Sequence, residues 1–525
     1  MAQTFKPPAG TKAPATHRIY DVCVIGSQLG GAVAGALLAR RGYRVLHIDH
    51  DGVRASYEDG GYLLPYGPAI LLSPRILPAA ELVLTELGLA TDATRTLEAA
   101  KPDLQMLLPR HRVDLGHEPA RRQAEFRREW PQDADRLEAG LADVGRLFES
   151  SSPFLRSMPP LPPAGLFDRR AVSKALKWAG AGPGASAVSI EQVRPFDGLE
   201  DHGLISALRI AQRFLSHLDG EPSSFATTRL VGALLRGSYR LPTGQQGLRD
   251  MIRRRIGESR GEILGAEGPT GAIAERLEVS GGKVHSVRLE GSTNSWVARV
   301  FLMATDAPAV ARMLPPEEAG QKLATTLERV EPRRQLLAVN LVVKTAALPP
   351  ALGDTVLVLR DPGGADAVDN ATLLQILPAR RDRGKGAAEV VPNEKVVCAA
   401  GFVPANARDG GDAHLAALGA QIREAVADAI PFFERHLVRE SVPAVAAPRE
   451  PRGSRLLAHP LYAVHDEQTL GVTGLPCRSP YKNLIFAGRE VVPGLGLEGE
   501  FHAGYQAAAA AEELLGKVGK KDVFR

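Results

Sequence analysis

The chain has 525 residues, 44% hydrophobic and 24% charged, with 64 basic against 60 acidic side chains and a net charge of +4. That length calls for two or three domains, and the interspersed charge argues against nucleic acid as a partner. Three distant cysteines, Cys23, Cys398 and Cys477, have no metal-ligand spacing, so neither a disulfide framework nor a metal site is expected, and a reducing, cytoplasmic setting fits.

Residues 1–17 read as a disordered lead-in without an apolar core of signal-peptide length. No run approaches the ~18 apolar residues that span a bilayer; peripheral membrane contact stays open. From Asp21 the chain reads DVCVIGSQLGGAVAGALLARRGYRVLHID. An apolar strand enters Gly26, an Ala/Leu-rich helix starts near Gly31, and a second strand, Val45–Ile48, ends in Asp49. This is the order of a dinucleotide-binding unit. Its first glycine makes the turn, its second lets a pyrophosphate approach, and its third packs helix on strand. Gly26 and Gly31 fill the first and third roles, and Gly35 adds a packing position. Asp49, 23 residues after Gly26, suits the ribose-binding acid, with Asp51 as runner-up. Gln28 stands where the second glycine belongs. Its side chain either fills the phosphate's volume or donates to a phosphate. Cys23, inside the first strand, reads as a buried inert thiol.

A helix-rich, charge-rich region follows, with helical periodicity over 79–90 and 121–148. SSPFLRSMPPLPPAG (151–165) reads as a linker or a surface loop. FDRRAVSKALKWAG (167–180) is short, amphipathic and basic: a surface helix, or one that rests on a membrane or partner. Residues 203–218 form a strong amphipathic helix. RRR at 253–255 reads as a solvated helix face. Segments 273–291 and 296–308 read as a β-meander and a buried strand. Segments 336–345, 355–360, 372–377 and 395–402 look like an antiparallel sheet, and 414–430 is a helix. The last block, NLIFAGREVVPGLGLEGEFHAGYQAAAAAEELLG (483–516), is strand, Gly/Pro loop and closing helix.

Three separated blocks, about a third of the chain, resemble the FAD-dependent phytoene desaturase, carotenoid isomerase and retinol saturase superfamily, which is related in fold to amine oxidases and protoporphyrinogen oxidase. IGSQLGGAVAGALLARRGYRVLHID matches the family's start, and GVRAS (52–56) its GGRA-type turn, with Arg54 in the arginine place. GGYLLPYGP (60–68), YRLPTGQQGLRDMI (239–252) and VFLMATDAP (300–308) match later segments. NLIFAGREVVPGLGLEGEFHAGYQAA (483–508) is the longest and most specific match. Four departures stand out: Gln28 for glycine, Asp49 for glutamate, Pro65 for an acid, and Arg489 for aspartate or threonine.

The resemblance implies an α/β fold. A discontinuous Rossmann-type FAD-binding domain would come from 18–75, 226–315 and 480–525. An α+β substrate domain, with an antiparallel sheet and a helical insertion, would come from 76–225 and 316–479. FAD is the implied cofactor. Gly26, Gln28, Gly30, Gly31, Asp49 and Arg54 would hold its nucleotide end, together with Ile273. Gly488, Arg489, Glu490, Gly496, Leu497 and Glu498 would lie by the flavin. There Glu490 recovers a ribityl contact if the loop shifts by one residue, or Arg489 meets a phosphate. Glu498 and Glu500 also suit a helix N-terminus as complements to its dipole. His502 reads as structural or as a proton relay; no catalytic residue is assigned.

The implied activity is oxidoreduction at C–C double bonds of a large apolar, isoprenoid or polyene-like molecule, in a cytoplasmic or membrane-associated protein. The alternative is a binding protein that has lost FAD, as Rab GDP-dissociation inhibitors hold prenylated partners on a similar fold. NAD(P) at the first unit is a third reading, disfavoured by the C-terminal block. Substrate, electron acceptor and oligomeric state are not specified.

Overall fold

The computed structural model describes residues 19–52, 54–179, 196–241, 244–265, 272–315, 318–364, 367–382, 388–447 and 458–522. The expected lead-in over 1–17 lies outside them.

The first strand (Ile19–Ile25), first helix (Leu29–Arg40) and second strand (Val45–Ile48) form the expected strand–helix–strand unit. The first strand pairs in parallel with the second and with Ser295–Met303. Glu262–Leu264 adds in parallel beyond the second strand, and Leu484–Phe486 beside Ser295–Met303. The sheet is completed by the hairpin Ala274–Ser280 and Lys283–Leu289. Its turn, Gly281–Gly282, has both φ angles positive, at 57° and 71°, the conformation a tight two-residue hairpin demands. Val22, Val24, Leu37 and Leu38 are fully buried. The strands therefore read as apolar runs rather than alternations, as expected of strands covered on both faces.

A second, ten-stranded sheet is built on three long antiparallel strands, Val330–Lys344, Ala388–Pro404 and Ala371–Asp382. The helix Gly411–Ala429 covers one face through Leu415, Ile422 and Val426. Thr355–Leu359 joins at the far side and pairs in parallel with Leu104–Leu108, which forms a hairpin with His111–Leu115. That hairpin lies between the two helical stretches, in the region read only as helix-rich. Its first strand is nearly all buried and so lacks the alternation that reveals a half-buried strand.

Two further readings change. The helical stretch 121–148 is two helices, Pro119–Glu129 and Ala134–Arg156, parted at Trp130–Pro131; proline lacks the N–H to continue a helix. The Pro-rich stretch 151–165 is no linker, since Phe154, Leu155 and Leu161 are buried, and Gln506 donates to the Met158 carbonyl at 2.7 Å. Among the described residues no helix is long and apolar enough to cross a membrane.

Candidate functional site

The site lies where the first helix begins and the terminal helix (Gly496–Asp522) packs against it. Gly26 turns the chain at φ +119°, and a Cβ there would sit 2.1 Å from the Ala304 carbonyl oxygen. At Gly30 a Cβ would sit 2.1 Å from the Ala487 carbonyl oxygen, and at Gly31 2.2 Å from the Ala304 Cβ. These glycines let the first helix nest against protein backbone.

Gln28 begins that helix in an extended conformation and does not cap it with its side chain. The side chain instead crosses to the 488–490 loop. Its Oε1 accepts the Arg489 N–H at 2.9 Å, and its Nε2 donates to Asp306 Oδ1 at 3.0 Å and, more weakly, to Glu490 Oε1 at 3.5 Å. Gln28 is 2% exposed. Gly488 makes room for it: a Cβ there would lie 2.2 Å from Gln28 Oε1.

One residue on, the Leu29 N–H donates to Glu500 Oε2 at 3.1 Å. This free N–H at a helix N-terminus is where an anion settles, and the chain supplies that anion itself. Burial would raise the Glu500 pKa. His217, with Nε2 3.7 Å from the carboxylate, the Arg489 charge and the Leu29 N–H together lower it instead.

The predicted ribose acid is also engaged. Asp49 accepts from the Ser27 hydroxyl and pairs with Arg253 at 2.6 Å. Arg253 is thus not part of a solvated face; one helical turn before it, Arg249 donates to the Ser27 carbonyl at 3.2 Å. Asp51 accepts from the Ser27 N–H at 2.7 Å and the Thr305 hydroxyl at 2.6 Å. His47 is held neutral, pushed down to about 4 by burial, with Nε2 2.8 Å from the Gly26 carbonyl. Ile273 is half-buried next to Ala274, whose N–H donates to His50 Nδ1 at 2.9 Å. Arg54 stands exposed before the strand Ser56–Asp59.

At the other end, Tyr462 donates to both Asp306 Oδ1 (3.2 Å) and Glu490 Oε1 (3.1 Å). Burial, then the nearby Asp306 carboxylate, push Glu490 up to about 8, so its carboxyl holds a proton at neutral pH. Burial alone would lower the Arg489 pKa, but Asp306, Tyr462, Glu500 and Glu490 raise it. Gly496 has φ +51°, and a Cβ there would overlap the Leu215 carbonyl; Leu497 beside it is buried. Glu498 is held by Arg229 through three contacts of 3.0–3.2 Å. Arg229 also donates to the Phe148 carbonyl, Ser151 and Ser152, and lies over the Phe148 ring. His502 is fully buried beside the Pro159 carbonyl and is pushed down to about 4 by that burial.

The two large sheets and the Gly-rich entry agree with known folds. The family of NAD(P)-binding Rossmann-like domains matches residues 24–87. An oxidoreductase from Methanosarcina mazei is 13% identical with a TM-score of 0.55, over 93% of this chain and all of that one. Cyclohexylamine oxidase from Brevibacterium oxydans is 15% identical with a TM-score of 0.53, over 95% of this chain and all of that one. No curated protein sequence matches the chain.

The fold is that of the FAD-binding amine oxidases. In that fold, phosphates need an open helix N-terminus and a close backbone approach at the second glycine. The residues present do not fit the group. Gln28 fills the approach, Glu500 puts a carboxylate on the Leu29 N–H, and Arg253 and Ser27 hold Asp49. Ser27, Gln28, Asp49, Asp51, Glu490, Glu498 and Glu500 are all at most 7% exposed.

The structure thus brings together Gly26, Gln28, Gly30, Gly31, Asp49, Gly488, Arg489 and Glu490. Glu498 stands in a separate buried pair with Arg229, and Arg54 on the surface. Sequence reading missed Asp306, Tyr462, His217, Arg229 and Arg253. Only the last had a local signal: with Arg249 it shares one helix face at i,i+4.

Proposed function

We propose that this protein uses the amine-oxidase fold as a binding scaffold that carries no dinucleotide. One observation carries the reading: the Gln28 amide bridges the first helix to the Arg489 N–H and Asp306, through the space a pyrophosphate would take. The occupied Leu29 N–H and the paired Asp49 support it. The resemblance of the terminal blocks to phytoene desaturase-type sequences makes a large apolar, isoprenoid-like molecule the ligand class we assign.

A second reading, an FAD oxidoreductase acting on C–C double bonds of such a molecule, is favoured by the C-terminal block. Gly30 and Gly504 bring the first and terminal helices into backbone contact, as a flavin-holding arrangement of this fold would need. It requires Gln28 and Glu500 to leave their present partners. Purification of the full chain with flavin supplied separates the two readings. The scaffold reading expects a colourless protein that releases no flavin on denaturation. A yellow protein with one flavin per chain overturns it.

A further inference from the structure

We propose that the helix Leu166–Ala179 docks the protein on an anionic lipid surface. The inference is independent of the nucleotide question, since this helix holds none of the residues of the candidate site.

The helix has two sharply different sides. Val172 is 5% exposed and packs with Phe154, Leu155 and Leu161, and Ala175 and Leu176 pack against the same cluster. Asp168, half-buried, accepts the Ala164 N–H at 2.9 Å. With about 3.6 residues per turn, Leu166, Arg170, Ser173, Lys174 and Lys177 fall on the opposite side, and all are exposed. Phe167 and Arg169 flank that side and are exposed as well.

Phe167 at 83% and Leu166 at 73% are the two most exposed large hydrophobic residues among those described. Arg169, Arg170, Lys174 and Lys177 have no acidic partner among the described residues. An exposed apolar pair beside four unpaired cations, with no acid on the same face, is complementary to acyl chains under anionic headgroups. A second copy of this chain would have to bring together like charges on this face.

Vesicle co-sedimentation tests the proposal, comparing pure phosphatidylcholine with phosphatidylcholine containing phosphatidylserine. The full-length protein should pellet with the anionic vesicles at low salt and be released as salt rises. Lys174→Glu with Lys177→Glu should weaken partition by about tenfold or more. Leu166→Ser with Phe167→Ser should weaken it while leaving the melting temperature unchanged. If the charge reversal disturbs folding, Lys174→Gln with Lys177→Gln replaces it. The proposal is overturned by no partition, by equal partition onto neutral vesicles, or by partition that the folded variants leave intact. It is equally overturned if Leu166→Ser with Phe167→Ser converts a dimer into a monomer, which would assign the face to a second copy.

Discussion

The Gln28 side-chain oxygen accepts the Arg489 backbone N–H at 2.9 Å, joining positions 461 residues apart. The amide nitrogen of the same side chain donates to Asp306 at 3.0 Å. One side chain thus ties the first helix to the end of a central strand and to the loop before the terminal helix. In a dinucleotide-binding member of this fold the cofactor would span that junction. Here the polypeptide closes it, and Glu500 supplies the negative charge at the helix N-terminus.

Replacing both groups should therefore open the junction. Gln28→Gly removes the side chain from the phosphate path, and Glu500→Gln removes a charge that would repel a phosphate. The native protein should show no saturable FAD binding in a fluorescence titration. The double variant should gain at least about tenfold in affinity, the equivalent of about 1.4 kcal/mol. Stoichiometric flavin in the native protein would end the scaffold reading.

Gly488 and Gln28 should be energetically coupled. A Cβ at Gly488 would lie 2.2 Å from Gln28 Oε1, so Gly488→Ala must displace that side chain and break its hydrogen bonds. Gln28→Ala loses the same bonds and leaves the half-buried Arg489 N–H without its acceptor. Each change should cost about 1–3 kcal/mol. Together they should cost clearly less than the sum, because the second change finds the contact already gone. Urea unfolding of the four proteins reads this directly, and additive costs would show that Gln28 does not occupy that space.

The buried Arg229–Glu498 pair makes a different demand. The two side chains are 1% and 2% exposed. Burial pushes the Arg229 pKa down and the Glu498 pKa up, so both shifts agree that desolvation opposes the charges. Arg229→Met leaves Glu498 buried and unpaired and should cost about 3–5 kcal/mol. Adding Glu498→Leu should recover much of that loss, since no buried charge then remains. A double variant as unstable as Arg229→Met would mean that the pair stabilises through its contacts with Ser151, Ser152 and Phe148 instead.

Legibility from sequence followed locality. The first strand, helix and second strand, Ile19–Ile25, Leu29–Arg40 and Val45–Ile48, were plain because apolar runs, a glycine turn and a small-residue helix sit within thirty residues of one another. The long strands after Val330 were plain for the same reason. The hairpin Leu104–Leu115 was not, because its place depends on Val356–Val358, some 250 residues away. Gln28 was recognisable as an anomaly, and blocking the phosphate path was one of the two roles open to it. Its partners were not readable, since Asp306, Arg489 and Glu490 meet it only through sheet pairing. Glu500 could be read as complementing a helix dipole, but the helix it serves is the first one, not its own.

Stability should peak near pH 7, for reasons that can be traced to named groups. Burial pushes His47 to about 4, His459 to about 3 and His502 to about 4, from 6.5. Between pH 6.5 and about 4 the unfolded chain therefore binds protons that the folded chain refuses, so stability falls as pH falls. Glu500, lowered in the folded state, adds to this loss at the acid end. Glu490 has the opposite sign. Its folded value of about 8 lies above the ordinary 4.5, so the folded chain keeps a proton that the unfolded chain has released. Stability from this group falls as pH rises from 4.5 and levels off above about 8. Below about pH 7 the three histidines outweigh it, and above about pH 7 their effect fades and Glu490 prevails. The expected net loss between pH 7 and 8 is below about 1 kcal/mol. Glu490→Gln cannot titrate and keeps an acceptor for the Tyr462 hydroxyl, so it should abolish the alkaline decline and leave the acid limb in place. Calorimetric melting temperatures of both proteins from pH 4 to 9 check this. Parallel curves above pH 6.5 would show that Glu490 is already ionised in the folded protein.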